Sequence, residues 1–229
     1  MISWSRRAFL RCAVLPVATV LVGASLGVLL PSPAQAAGCS PRTGPAQRQV
    51  ESYLGLPVDG TASHADCRAV QRFQRRMDIR PTAGYAGPLT SSVVSRLSRA
   101  SLGSCGYSAG LRVCVDLTHQ VMWITRSGKR IHGPVPIRTG RTGLITPTGT
   151  FKIQDKKTST ISSYFKVKLP YWQRFYRDMG FHQTTTWLYD PGSPGSHGCI
   201  NLLPPDARAL FSYTRRGTPV KIFGRKPGT

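Results

Sequence analysis

Near residue 100 the chain changes its hydrophobic period, and that change limits what it can fold into. Before it, apolar residues recur at helical spacing: Val50, Tyr53 and Leu54, then Ala69, Val70, Phe73 and Met77, then Val93, Val94 and Leu97. The stretches Pro57-Val58-Asp59-Gly60 and Pro81-Thr82-Ala83-Gly84 break the pattern with turn chemistry. This predicts three short helices in residues 44–99, a bundle too small to be stable without a covalent tie. After a linker at residues 100–110 the period drops to two. LRVCVDL, QVMWIT, RIHGPVPIRTG, TGTFKI, YFKVKL and PVKIF are rich in β-branched and aromatic residues and are separated by Gly and Pro turns, such as Ser127-Gly128. One late helix is expected. Pro204 and Pro205 open it, Asp206 sits in its first turn, Ala207 to Phe211 carry it, Arg215 and Arg216 close it and Gly217 caps it. The fold class is therefore α+β and multidomain: a small three-helix bundle, then a mainly β domain over residues 111–224.

Residues 1–36 carry a different signal. SRRAFLR precedes an uncharged run from Cys12 to Leu30, and Ala34-Gln35-Ala36 forms a small-residue cleavage site. Paired arginines followed by Phe9 and Leu10 resemble the twin-arginine export signal. A transmembrane anchor is the competing reading, since the uncharged run is long enough to span a bilayer. Pro16, Gly23, Gly27 and the cleavage site weigh against it. The expected location is the cell wall or the extracellular space.

The formal net charge is +22, with 31 Lys and Arg against 9 Asp and Glu. Such a balance favours a polyanionic partner. No nucleic-acid module is visible, and anionic wall polymers suit an exported chain better. Beyond residue 36 the cysteines are Cys39, Cys67, Cys105, Cys114 and Cys199, an odd number. In an oxidising compartment one of them stays unpaired. Cys105 and Cys114 would close a short loop across Gly106 and Gly110, and Cys39 could tie the N-terminal arm to Cys67. Cys199 is left over. Lipidation of Cys39 is the alternative, but Ala36 stands where a large aliphatic residue would be expected, and Cys67 would lose its partner.

Cys199 lies in GSPGSHGCINL, a Gly/Ser/Pro-rich loop and no apolar run. A cysteine attacks as its thiolate and needs a base or a cation nearby. His197 is two residues away, and His182 lies upstream, at the end of an aromatic stretch (Tyr171, Trp172, Phe175, Tyr176, Phe181). A zinc site built on these three residues would lack the usual ligand spacings, so no metal is expected. His64, His119 and His132 stand in polar or turn-like stretches and read as surface histidines.

These residues resemble the L,D-transpeptidase catalytic domain of the YkuD type. Its signature is a histidine, a spacer, and then Ser/Thr-His-Gly-Cys-apolar-Asn/Arg. Here it reads His182, thirteen residues, Ser196-His197-Gly198-Cys199-Ile200-Asn201, with Gln183 after the histidine. IRTGRTGLITPTGTFKI is similar to the family's Thr-Pro-x-Gly-x-Phe strand pair, and LPYWQRF to its aromatic stretch before the base. The helical half resembles a peptidoglycan-binding domain through VDGTASHADCRAVQRFQRRMDI and AGYAGPLTSSVVSRL. The resemblance implies that Cys199 is the nucleophile and His182 the base. Backbone N–H groups at Gly198 and Cys199 would hold the oxyanion, with His197 and Ser196 fixing the loop. Asn201 and Tyr171 would face the peptide. It further implies release of D-alanine from a tetrapeptide stem, a thioester, and a 3→3 cross-link, with no cofactor and with carbapenems as covalent inhibitors. An L,D-carboxypeptidase or hydrolase would use the same residues, and a silent wall-binding protein would have no need of a reactive thiol.

Overall fold

The computed structural model describes residues 39–229, which lie in one compact unit; the expected export signal lies outside the described residues. None of the described helices is long and apolar enough to cross a membrane.

Three helices come first: α1 (Gln47–Leu54), α2 (His64–Arg76) and α3 (Pro88–Ser98). Each has a stop or a cap from the sequence at one of its ends. Ser63 accepts the Asp66 N–H, and the Asp66 carboxylate accepts the Ser63 N–H in return, so two orphan donors at the α2 N-terminus are satisfied reciprocally. Pro88 begins α3, where its missing N–H costs nothing. Gly55 ends α1 in the left-handed region.

The strands follow as β1 (Leu111–Asp116), β2 (Val121–Arg126), β3 (Lys129–Arg138), β4 (Gly149–Lys152), β5 (Asp155–Ile161), β6 (Lys168–Tyr176), β7 (Met179–Gln183), β8 (Ile200–Leu202) and β9 (Pro219–Phe223), with α4 (Pro204–Tyr213) before the last. They join in one curled sheet of order β4-β9-β1-β2-β3-β8-β7-β6-β5. Most neighbours are antiparallel; β1 with β9 and β7 with β8 are parallel. The parallel β7–β8 pair needs a crossover, and residues 184–199 supply it.

In β1 and β2 both faces are buried, which period-two alternation does not foretell. Val113, Val115, Met122 and Ile124 face the main core with Ile137, Phe175, Phe181, Ile200 and Leu210. Cys114, Val121 and Trp123 point the other way, into a second core with Val50, Val70, Phe73, Val93, Val94 and Leu97 from the helices. The helical segment therefore closes its apolar face on the back of the sheet. Each of these fully buried side chains contributes about 1.5–3 kcal/mol relative to exposure. Polar ties reinforce the seam. Arg76 of α2 grips the Asp206 carboxylate of α4 at 2.5 and 3.1 Å, and Arg96 of α3 donates to the carbonyls of His119 and Ile137.

Cys39 is bonded to Cys67 and Cys105 to Cys114, the pairings that spacing suggests, and Cys199 is free. Two sequence expectations change. Helix α4 stops at Tyr213, short of Arg215 and Gly217, because Thr214 turns extended and its hydroxyl bonds the Gln173 side chain and the Leu210 carbonyl. Among the histidines, His64 is exposed, but His119 pairs with the buried Asp116 at 2.7 Å and His132 lies 3.4 Å from Asp206. Both are half-buried partners of carboxylates.

Candidate functional site

The loop that carries Cys199 is held from three sides. Gly140 bridges Ser196 in parallel: Ser196 N–H donates to the Thr139 carbonyl at 2.9 Å, and Arg141 N–H donates to the Ser196 carbonyl at 3.1 Å. The Thr146 hydroxyl accepts the Gly140 N–H and donates to the Gly198 carbonyl at 2.9 Å. Lys226 adds its ammonium to the carbonyls of Gly140 and Pro194. Thr146 opens the Thr-Pro-x-Gly stretch, so that motif serves to fasten the loop carrying Cys199. Nothing in the stretch itself foretells the contact with Gly198, which lies far along the chain.

Inside the loop, the Ser196 hydroxyl accepts the Gly198 N–H at 3.1 Å and donates to the Cys199 carbonyl at 2.5 Å. Gly198 sits at φ +103°, and a Cβ there would come within 2.6 Å of Met179. Only glycine meets both conditions. With the Gly198 N–H engaged by Ser196, the Cys199 N–H is the amide of the pair with no partner among the described residues. It is the one of the two expected oxyanion donors that is open.

The strand register brings the remaining side chains together. His182 of β7 pairs with Asn201 of β8, and Phe181 with Ile200, which sets Cys199 next to Gly180. Side chains alternate along a strand, so His182, Asn201 and Cys199 share one face. The His182 Nδ1 lies 2.7 Å from the Gln183 carbonyl. A carbonyl only accepts, so the imidazole proton is on Nδ1 and the lone pair on Nε2. That Nε2 is 2.9 Å from the Asn201 amide nitrogen, which donates to it. The Trp172 ring lies 6.1 Å away, centroid to centroid.

Burial, with a smaller push from the Arg138 charge, takes His182 down to about 4, against the Gln183 carbonyl that favours the imidazolium. Burial also pushes the Cys199 thiol up to about 11; a Gly180 backbone hydrogen bond opposes this and the Asp178 charge adds to it. Both groups are therefore neutral at neutral pH. No hydrogen bond joins Cys199 to His182 among the described residues.

His197 points elsewhere. Its Nε2 accepts from the Arg141 guanidinium at 2.8 Å, and its ring meets Phe165 edge-on at 4.6 Å. Desolvation and then the Arg141 charge hold it below its ordinary value. These contacts hold the His197 ring against Arg141 and Phe165. Asn201 and Tyr171 depart from expectation. Asn201 is buried between Arg138 and His182 instead of facing outward. Tyr171 packs on Phe211, and its hydroxyl accepts from Arg208, on the α4 side of the sheet. The ring beside His182 is that of Trp172. No group of three metal-ligating side chains occurs among the described residues.

Residues 110–222 match the family model for the L,D-transpeptidase catalytic domain, YkuD. The chain is similar to an L,D-transpeptidase from Stackebrandtia nassauensis at 42% identity and a TM-score of 0.79; the match covers 83% of this chain and 96% of that one. This likeness runs well beyond residues 110–222. The catalytic domain of an Enterococcus faecium L,D-transpeptidase is 28% identical over 52% of this chain and 100% of its own, with a TM-score of 0.43. An L,D-transpeptidase solved in complex with imipenem is 22% identical over 50% of this chain and 59% of its own, with a TM-score of 0.44. No functionally curated protein matches the chain.

Proposed function

Because the chain belongs to the YkuD family of L,D-transpeptidases, we propose that it is an exported enzyme that cross-links peptidoglycan stems through Cys199. The observation that carries this reading is the pairing of an unbonded cysteine with a histidine of fixed tautomer on one face of two neighbouring parallel strands. The Asn201 amide gives up its hydrogen bond to His182 Nε2, and the freed lone pair takes the thiol proton as Cys199 Sγ attacks the carbonyl that precedes the terminal D-alanine of a tetrapeptide stem. The Gln183 carbonyl, already accepting from Nδ1–H, stabilises the imidazolium that forms. The Cys199 N–H donates to the oxyanion. D-Alanine leaves with the proton, a thioester remains, and the amine of a neighbouring stem resolves it to a 3→3 cross-link. Both steps are acyl transfers through one nucleophile and call for no cofactor.

The paired arginines and cleavage-like site at residues 6–36 support export. The resemblance of residues 44–99 to a peptidoglycan-binding domain supports a wall-anchoring role for the helices, and the net charge of +22 supports attraction to anionic wall polymers. Carbapenems, which present an acyl group to the same thiol, are the proposed covalent inhibitors.

Product analysis tests the reaction. Purified protein incubated with disaccharide-tetrapeptides is expected to yield a dimer lighter by one alanine, read by mass spectrometry. Tripeptide monomer alone would mean that water resolves the thioester and the enzyme is an L,D-carboxypeptidase. No product of either kind would remove the enzymatic reading.

A further inference from the structure

Arg138 is a half-buried cation at the end of β3, in a run where a strand residue of no special role would be expected. It pairs with Asn201 across β3–β8, and Asn201 pairs with His182 across β8–β7. The three side chains therefore stand in line across three adjacent strands, on the face that carries Cys199. Arg138 Nε donates to Asn201 Oδ1 at 3.3 Å, and Asn201 Nδ2 donates to His182 Nε2 at 2.9 Å.

The ladder has a direction. A guanidinium can only donate, so the Asn201 oxygen must face Arg138 and the amide nitrogen must face His182. A donor at Nε2 excludes a proton there. The Gln183 carbonyl demands the same tautomer from the other side of the ring. The outer end of the ladder is fixed as well. Arg138 Nη1 donates to the Trp187 carbonyl at 3.0 Å and Nη2 to the Thr186 hydroxyl at 2.8 Å, while the Trp187 indole N–H donates to the Asp78 carbonyl just past α2. A continuous hydrogen-bonded path runs from the helical segment to the base.

Resting on the function proposed above, we infer that Arg138 is a positioning residue for the base: through Asn201 it fixes the tautomer and orientation of His182. Burial is the main cause that disfavours the His182 imidazolium, and the Arg138 charge adds to it. Around His182, the charged or titratable neighbours are Arg138 on β3 and Cys199 before β8, with Asp178 of the β6–β7 turn acting on the thiol. β6 presents the neutral Trp172, and Lys226 stands within electrostatic reach of Arg138.

The test reads His182 directly, by histidine-selective NMR on the full chain, for the wild type and for Arg138→Met, Arg138→Lys and Asn201→Ala. The wild type is expected to show the Nδ1–H tautomer alone. Arg138→Met is expected to mix the tautomers and raise the His182 pKa, with kcat down about 10- to 100-fold and KM little changed. Arg138→Lys keeps the charge without the planar fork, so the pKa is expected to stay near wild type while the tautomers mix. Asn201→Ala should mix them with Arg138 intact, so the test holds even where Arg138→Met fails to fold. Unchanged tautomer and pKa in the folded Arg138 and Asn201 variants would overturn the inference. The readout needs no turnover. Loss of product in Cys199→Ala beside an unmoved His182 in these variants would sink this inference and leave the proposed function standing.

Discussion

His182→Gln is expected to lower kcat/KM for D-alanine release by about 10²- to 10⁴-fold, the range for loss of a positioned general base, with little change in thermal stability. The reason lies in the resting protonation states. With the thiol pushed up to about 11 and the imidazole down to about 4, Cys199 holds no preformed thiolate at neutral pH. Removal of the proton is then part of the barrier, and without Nε2 there is no acceptor for it. The pH profile separates this from a structural defect. Wild-type activity should fall in acid as the imidazole protonates near about 4, well below the ordinary histidine value of 6.5. His182→Gln should lose that acid limb and gain activity as the pH rises towards the thiol's own ionisation. An acid limb that persists unchanged in the variant would mean that another group is the base.

The second large effect is on stability. Arg76→Ala is expected to destabilise the protein by about 3 kcal/mol, the lower end of the cost of stranding one partner of a buried ion pair. Asp206 is 0% exposed, whereas Arg76 is 42% exposed, so truncating the arginine leaves the unpaired charge on the buried side. His132, 3.4 Å away, compensates only in part. For a chain of this size the loss corresponds to a drop in Tm of about 6–12 °C, measurable by calorimetry. The pH dependence has a definite sign. Burial opposes ionisation of Asp206, but His132 and Arg76 outweigh it and hold the carboxyl below its ordinary value of 3.8. The contribution is present above the ordinary carboxylate range and is lost as the pH falls through the depressed folded value. The gap between wild type and Arg76→Ala should therefore narrow in strong acid.

What could be read from the sequence was local. The turn signals and the change of period near residue 100 placed the helices and strands, and cysteine spacing placed both disulfides. Cys199 stands out in the sequence because a thiol beside His197 in a Gly/Ser loop has no packing rationale, whereas His182 is pointed to by the family signature that it begins. What stayed hidden depends on which strands become neighbours. Nothing in the run RIHGPVPIR tells that Arg138 will stand beside Asn201, since β3 and β8 meet across more than sixty intervening residues. The same holds for Thr146 reaching Gly198. Tyr171 and Trp172 show how fine the margin is: one position along β6 exchanges the faces of the sheet, so Trp172 comes near His182 while Tyr171 packs on Phe211. His119 and His132 looked like surface residues because their carboxylate partners, Asp116 and Asp206, are buried by tertiary packing.

Intact-mass measurement of the protein during turnover tests the central claim most directly. Mixed with a tetrapeptide stem and quenched in acid, the wild type is expected to gain the mass of the stem less one alanine, with the adduct mapping to the peptide that contains Cys199 and lost on treatment with hydroxylamine, as a thioester would be. Cys199→Ala should gain nothing. An adduct that forms equally in Cys199→Ala, or product released by that variant at the wild-type rate, would contradict the account.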